Sequence, residues 1–172
     1  SGYEGDNQII DNFYKDLYLD DITNGLHDLR IIQHSLQGNN PLIYLVNGTI
    51  KSIESYLKNL IDKIRYLLKK KELKASKTRI SIFWALDLFE MRGDKIDISL
   101  LLESRLRDYI DEVEHGGGNN LDTYPSDKTT IFIACSKTDY HLITKANNVD
   151  SIVIKANPIC EVNSDLINVE RY

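Results

Sequence analysis

The chain has 172 residues, 42% hydrophobic and 27% charged, enough for one domain that buries roughly 70% of the surface its unfolded form exposes; wholesale disorder is not expected. The 21 basic and 26 acidic residues give a net charge of −5, which argues against a general electrostatic hold on nucleic acid. No apolar run approaches the roughly 18 residues that a membrane-spanning helix needs, so no membrane partner is expected.

The first patterned stretch places Ile9, Ile10, Phe13, Tyr14 and Leu17 on one face of a short amphipathic helix. Leu26, Leu29, Ile32 and Leu36 recur at helical spacing with Gly38 as a C-terminal stop, and a strand through Leu29 to Ile32 is the competing reading. "PLIYLV" is short, continuously apolar and opened by Pro41, as expected of a strand buried on both faces. The corner Asn47-Gly48-Thr49 would then turn that strand into a helix from Ile50, whose stripe runs Ile53, Leu57, Leu60, Ile61, Ile64, Leu67 and Leu68. Lysines close this helix, where positive charge complements the carbonyl end of the dipole.

"RISIFWALDLF" alternates Ile80, Ile82, Trp84, Leu86 and Leu88 with other residues and reads as a long central strand. "MRGDKID" is turn chemistry, and Asp97 is a credible N-cap for a helix carrying Ile98, Leu101, Leu102, Leu106, Tyr109, Ile110 and Val113 and ending at His115. Residues 116–128, opening Gly116-Gly117-Gly118, read as an exposed mobile loop. "TTIFIAC" and "VDSIVIKAN" read as strands around a short helix or loop in "KTDYHLITKANN", and "EVNSDLINVERY" could add an edge strand. This rhythm predicts a single α/β domain over 1–172: three layers, a mainly parallel sheet flanked by helices, Rossmann-like but without an intact nucleotide-binding loop.

Ligands bind outside the carboxyl ends of strands in such sheets, so chemistry is expected at Asn47 to Thr49, Asp87 to Glu90, Cys135 to Thr138 and Ala156 to Pro158. The amides of Asn47, Gly48 and Thr49 at a helix N-terminus would suit an anion, although neither G-x-x-x-x-G-K-[ST] nor G-x-G-x-x-G is present; a tight turn and helix cap is the plainer reading. The order of elements resembles that of von Willebrand factor A-type domains, and more distantly RecA-like folds without a phosphate loop. The A-type likeness implies a metal-binding D-x-S-x-S loop after the first strand; Asn47, Thr49 and Lys51 stand there instead, so no metal or other cofactor is expected.

Asp87, Glu90, Asp94 and Asp97 could supply the two oxygen ligands that Mg²⁺ needs for phosphoryl or nuclease chemistry, against the alternative of turn and cap roles. "HGGG" from His115 and "IFIACS" around Cys135 are similar to fragments of caspase-like and separase-like proteases, and the likeness implies His115 as base and Cys135 as nucleophile. The plainer reading puts His115 at a helix end and Cys135 in the sheet as a small apolar residue. His27, Arg30 and His34 share a helical face that suits solvent better than a metal. Lys69, Lys70, Lys71, Lys74, Lys77 and Arg79 form a basic cluster able to meet an acidic partner or, less favoured, nucleic acid.

Cys135 and Cys160 belong to no Cys-x-x-Cys or Cys/His cluster and are expected to be reduced thiols of an intracellular protein, in cytoplasm or nucleus. The Ser-Gly-Tyr start reads as a segment excised from a longer protein. Without a complete catalytic motif, with apolar helix stripes and with Tyr14, Tyr18 and Tyr172 near the ends, the expected function is a non-catalytic protein-protein interaction or assembly module, a scaffold or complex subunit. The alternative is a metal-dependent hydrolase or nuclease using acidic residues at the end of the central strand.

Overall fold

The computed structural model describes residues 17–36, 40–85, 93–117, 127–146 and 151–157. Its centre is a run of alternating isoleucines. Strands β1 (Thr78–Phe83), β2 (Glu112–Gly116), β3 (Thr129–Ala134) and β4 (Ser151–Lys155) form an all-parallel sheet in the order β2-β1-β3-β4. The registers set Ile80 beside Val113 and Ile131, and Ile131 beside Ile152. Neighbours at one level of a parallel sheet share a face, so these side chains build one continuous apolar surface. The predicted three-layer parallel α/β class is the observed one, with β1 paired on both edges as expected of a central strand.

Five helices accompany the sheet among the described residues: α1 (Leu19–Thr23), α2 (Leu26–Ser35), α3 (Leu42–Lys70), α4 (Gly93–Arg107) and α5 (Lys137–Lys145). The first core joins the isoleucine face to Ile53, Leu57, Leu60 and Ile64 of α3 and to Ile98, Leu102 and Leu106 of α4. The opposite face is smaller: Phe83, Phe132, Ala134 and Val153 pack with Ile143 of α5, the two phenyl rings meeting edge to face at 5.6 Å.

The segment from Leu42 to Val46 is helix, not the strand its apolar run suggests. Val46, Ile50, Ile53 and Leu57 fall at helical offsets, so the run continues the stripe of α3 in phase, with Val46 buried and Leu42, Tyr44 and Leu45 outside. Pro41 stands at the N-cap, where its missing N–H leaves no helical bond unmade. A continuous helix of 29 residues results, about 43 Å long.

The second correction is β2. The helix predicted to run to His115 ends at Arg107, because Glu112, Val113, Glu114 and His115 pair with Arg79 to Ile82 of β1. One buried apolar residue, Val113, suffices for an edge strand, and its offset from Leu106 and Ile110 mimics helical spacing. Gly116 is strand rather than the start of a loop. A Cβ there would overlap the Phe83 ring and the Ser81 hydroxyl, so only glycine fits. Residues 118–126 of the expected loop lie outside the described residues. Asp97 is no N-cap either: α4 begins at Gly93, and Asp97 is an exposed residue of its second turn, 3.9 Å from Arg30.

The helix predicted over residues 9–17 and the edge strand expected after 160 also lie outside the described residues. The α2, α5 and β4 predictions match the observed elements.

Candidate functional site

The carboxyl ends of β1, β3 and β4 meet where a parallel sheet of this order reverses direction, between β1 and β3. Helices run from these two strands to opposite sides, which in open sheets leaves a crevice. Here α1 closes it. The amides of Leu19 and Asp20, at the start of α1, donate to the carbonyls of Ala156 (2.7 Å) and Cys135 (3.0 Å). Unmade donors of a helix start thus meet unmade acceptors of strand ends, and each satisfies the other.

The side chains above the sheet are equally committed. Asp20 Oδ1 accepts from Trp84 Nε1 at 2.8 Å and from Lys95 Nζ at 2.6 Å, tying α1 to the end of β1 and to α4. Ser136 caps α5: its hydroxyl accepts the Asp139 amide at 3.1 Å and donates to Asp139 Oδ2 at 2.5 Å. The Ala85 amide lies 3.5 Å from the same oxygen. Asp139 is only 2% exposed, and burial raises its carboxyl above the usual aspartate range against the opposing hydrogen bonds from Ser136 and Ala85, with the negative charge of Asp20 adding to the rise. Lys155 projects over the rings of Tyr140 and Tyr18, 4.2 and 5.9 Å from their centres. Tyr18 is buried, so it is core rather than the interface residue predicted; Tyr14 and Tyr172 lie outside the described residues.

Cys135 follows β3, as predicted, but is fully buried. Burial, then the charges of Asp139 and Asp20, push its thiol well above the usual range, so it supplies no thiolate. His115 is separated from it by β1. With β2 and β3 on either side of that strand, about 10 Å of sheet divides the two, and no Cys-His dyad forms.

His115 instead completes a different array. Its Nδ1 is 3.3 Å from Ser99 Oγ, and its Nε2 is 2.7 Å from Glu103 Oε2. Arg107 holds the other Glu103 oxygen at 2.8 Å and reaches the Val113 carbonyl at 2.6 Å. The Glu103 carboxyl is thereby held below its usual range, chiefly by Arg107 and then by His115. A Ser-His-Glu order resembles a hydrolytic triad in connectivity alone. Ser99 is 2% exposed and shares one helix with Glu103, so no substrate carbonyl can reach it; the array fastens α4 to the sheet edge.

The anion candidates Asn47, Gly48 and Thr49 sit inside α3, where their amides belong to the helix. Asn47 Oδ1 accepts from Gln33 of α2, and the Thr49 hydroxyl donates to the Leu45 carbonyl at 3.0 Å. They form neither a strand end nor an anion site. Asp87 and Glu90 lie outside the described residues, as does the Asp94 side chain. Among the described residues no three His, Cys, Asp or Glu side chains group so as to hold a metal ion, and no helix is long and apolar enough to cross a membrane.

Arg79 leaves the basic cluster. It is buried in β1, and its Nε bonds Glu112 Oε1 at 2.5 Å, while Lys128 takes the other Glu112 oxygen. Lys69, Lys70, Lys71, Lys74 and Lys77 run from the last turn of α3 to the start of β1.

The outer surface of the helices is built differently. Ile31 and Ile32 of α2 and Leu42, Tyr44 and Leu45 of α3 are all exposed, Tyr44 by 73%. A groove of about 590 Å³ separates α3 from α4, floored by Leu57, Ile61 and Leu102. Compared with known proteins, the chain matches no family model, no curated sequence and no solved structure.

Proposed function

We propose that the chain is a non-catalytic protein-interaction module of a larger intracellular complex, docking a partner subunit against the helix pair α2–α3. One observation carries the reading: five large apolar side chains, Ile31, Ile32, Leu42, Tyr44 and Leu45, stand exposed on these two helices. Single exposed leucines are ordinary, but a concentration of aliphatic and tyrosine side chains has the composition of an interface core. The Gln33–Asn47 hydrogen bond joins the two helices, so the surface is presented ready-made at small ordering cost.

The side chains at the strand ends support the same reading. Where an α/β enzyme holds substrate, Trp84 and Lys95 pair with Asp20, and Ser136 pairs with Asp139. The rival, a metal-dependent hydrolase or nuclease, would draw on Asp87 and Glu90.

The test is native isolation of the tagged chain with and without Leu45→Asp. A discrete assembly larger than the chain is expected, lost with Leu45→Asp while the melting temperature stays unchanged. A partnerless monomer, or an assembly indifferent to the substitution, would overturn the proposal.

A further inference from the structure

The far end of α3 carries a second surface of different chemistry. A groove of about 510 Å³ runs beside the end of the helix, with Leu68, Leu73 and Ile110 in its floor and Tyr66 and Tyr109 in its walls. Tyr66 is 65% exposed, and Tyr109 is held in place by the Arg65 guanidinium 4.4 Å over its ring. Lys69 lines the groove, Lys70 and Lys71 follow it at the helix end, and Lys74 stands between the lining residues Leu73 and Ala75. Lys77 completes five lysines in nine residues, with Glu72 the one carboxylate among them. No ion pair joins any of the five to a carboxylate among the described residues.

Five ammonium groups in nine residues repel one another, and a chain of net charge −5 gains nothing in solubility from such a cluster. An opposite charge brought between them relieves the repulsion. The apolar floor meanwhile offers a hydrophobic side chain a place out of water. We infer that this corner binds an acidic amphipathic peptide segment of a partner protein, its carboxylates on the lysine rim and an aromatic or leucine anchor on Leu68, Leu73 and Ile110. The inference rests on the reading of the chain as an interaction module and names the chemistry of one ligand.

Nucleic acid fits the corner less well. Phosphate recognition favours guanidinium forks, and here Arg79 is buried on Glu112 while Arg65 is stacked on Tyr109. Lysines, as mobile point charges, tolerate the varied geometry of Asp and Glu side chains.

Fluorescence anisotropy on the full chain tests this with a labelled amphipathic peptide of about 16 residues, roughly 24 Å as a helix. Its Phe and Leu anchors sit at helical spacing and its remaining positions are Asp and Glu. Three further ligands accompany it: the peptide with its anchors replaced by Ser, the peptide with its acids replaced by Lys, and a single-stranded RNA of equal charge. Saturable binding to the acidic amphipathic peptide is expected, weakened about tenfold or more by Lys69→Glu with Lys74→Glu and by Tyr66→Ala, all at exposed positions. The other three ligands are expected to bind at least tenfold more weakly.

Absent saturation, equal binding of the Ser-substituted peptide, tighter binding of the RNA, or indifference to the variants would each overturn the inference. Leu45→Asp leaves this corner unaltered. Loss of the native assembly with that variant and loss of peptide binding with the lysine variants are therefore separate outcomes.

Discussion

The crevice above the sheet and the outer face of α2–α3 are built on opposite terms. Above the sheet the described polar side chains pair with one another: Asp20 joins Trp84 and Lys95 across 64 and 75 residues of sequence, and Asp139 accepts from Ser136. On the outer face, Ile31, Ile32, Leu42, Tyr44 and Leu45 keep between 42% and 73% of their surface exposed. The first region uses its side chains for internal stability, and the second holds unspent hydrophobic surface, which is what association draws on. Stability and function should therefore respond to substitution in different places.

The largest expected effect lies above the sheet. Trp84→Ala empties a 6%-exposed site and removes one of the two donors to Asp20 Oδ1, and should cost about 3 to 5 kcal/mol in chemical denaturation. Asp20→Ala should cost about 2 to 3 kcal/mol, because Lys95, 14% exposed, loses its counter-charge and the Trp84 N–H its acceptor. At the sheet edge, Gly116→Ala forces the Phe83 ring to move and should cost about 1 to 3 kcal/mol. Tyr44→Asp and Leu45→Asp should stay within about 0.5 kcal/mol of the parent. Equal costs in the two regions would break the contrast.

The pH dependence has opposite signs above the sheet and at its edge. Because burial raises the Asp139 carboxyl, the folded chain holds that proton more tightly than the unfolded one. The resulting stability is complete below the ordinary value of 3.8 and is lost as pH rises through the raised value. Asp139→Asn keeps an acceptor for Ser136 and should leave the chain more stable than the parent near pH 7. Glu112 has the opposite sign. Lys128, then Arg79, lower its pKa, so its contribution is present above 4.5 and is lost as pH falls through the lowered value. Glu112→Gln should flatten the acid limb of the stability curve.

How much of this was legible in the sequence depended on how local each signal is. The stripe of α3 and the apolar strands β1, β3 and β4 carry their period within a few residues and were read as such, although β1 ends at Phe83 and leaves Trp84 and Ala85 of the expected long strand outside it. A five-residue apolar run such as Leu42–Val46 fits either a buried strand or a helix, and only its phase against Ile50 and Ile53 decides. Edge strand β2 has one buried apolar residue and takes its pairing from β1, about 30 residues away, so its own letters say little.

Within the crevice, Ser136-x-x-Asp139 after a strand is a capping-box spacing and could have been found. Asp20, Trp84 and Lys95 could not, since only folding brings them together. The candidates at strand ends succeeded in place for Cys135 and failed in chemistry, because burial decides whether a thiol reacts and no local pattern encodes it.

Amide hydrogen exchange, comparing the isolated chain with the chain in its native assembly, tests the central claim most directly. Slower exchange is expected across residues 26–35 and 42–49, with residues 17–23 and 135–139 unchanged. Protection confined to residues 17–23 and 135–139 would place the ligand in the crevice and contradict the interaction-module account.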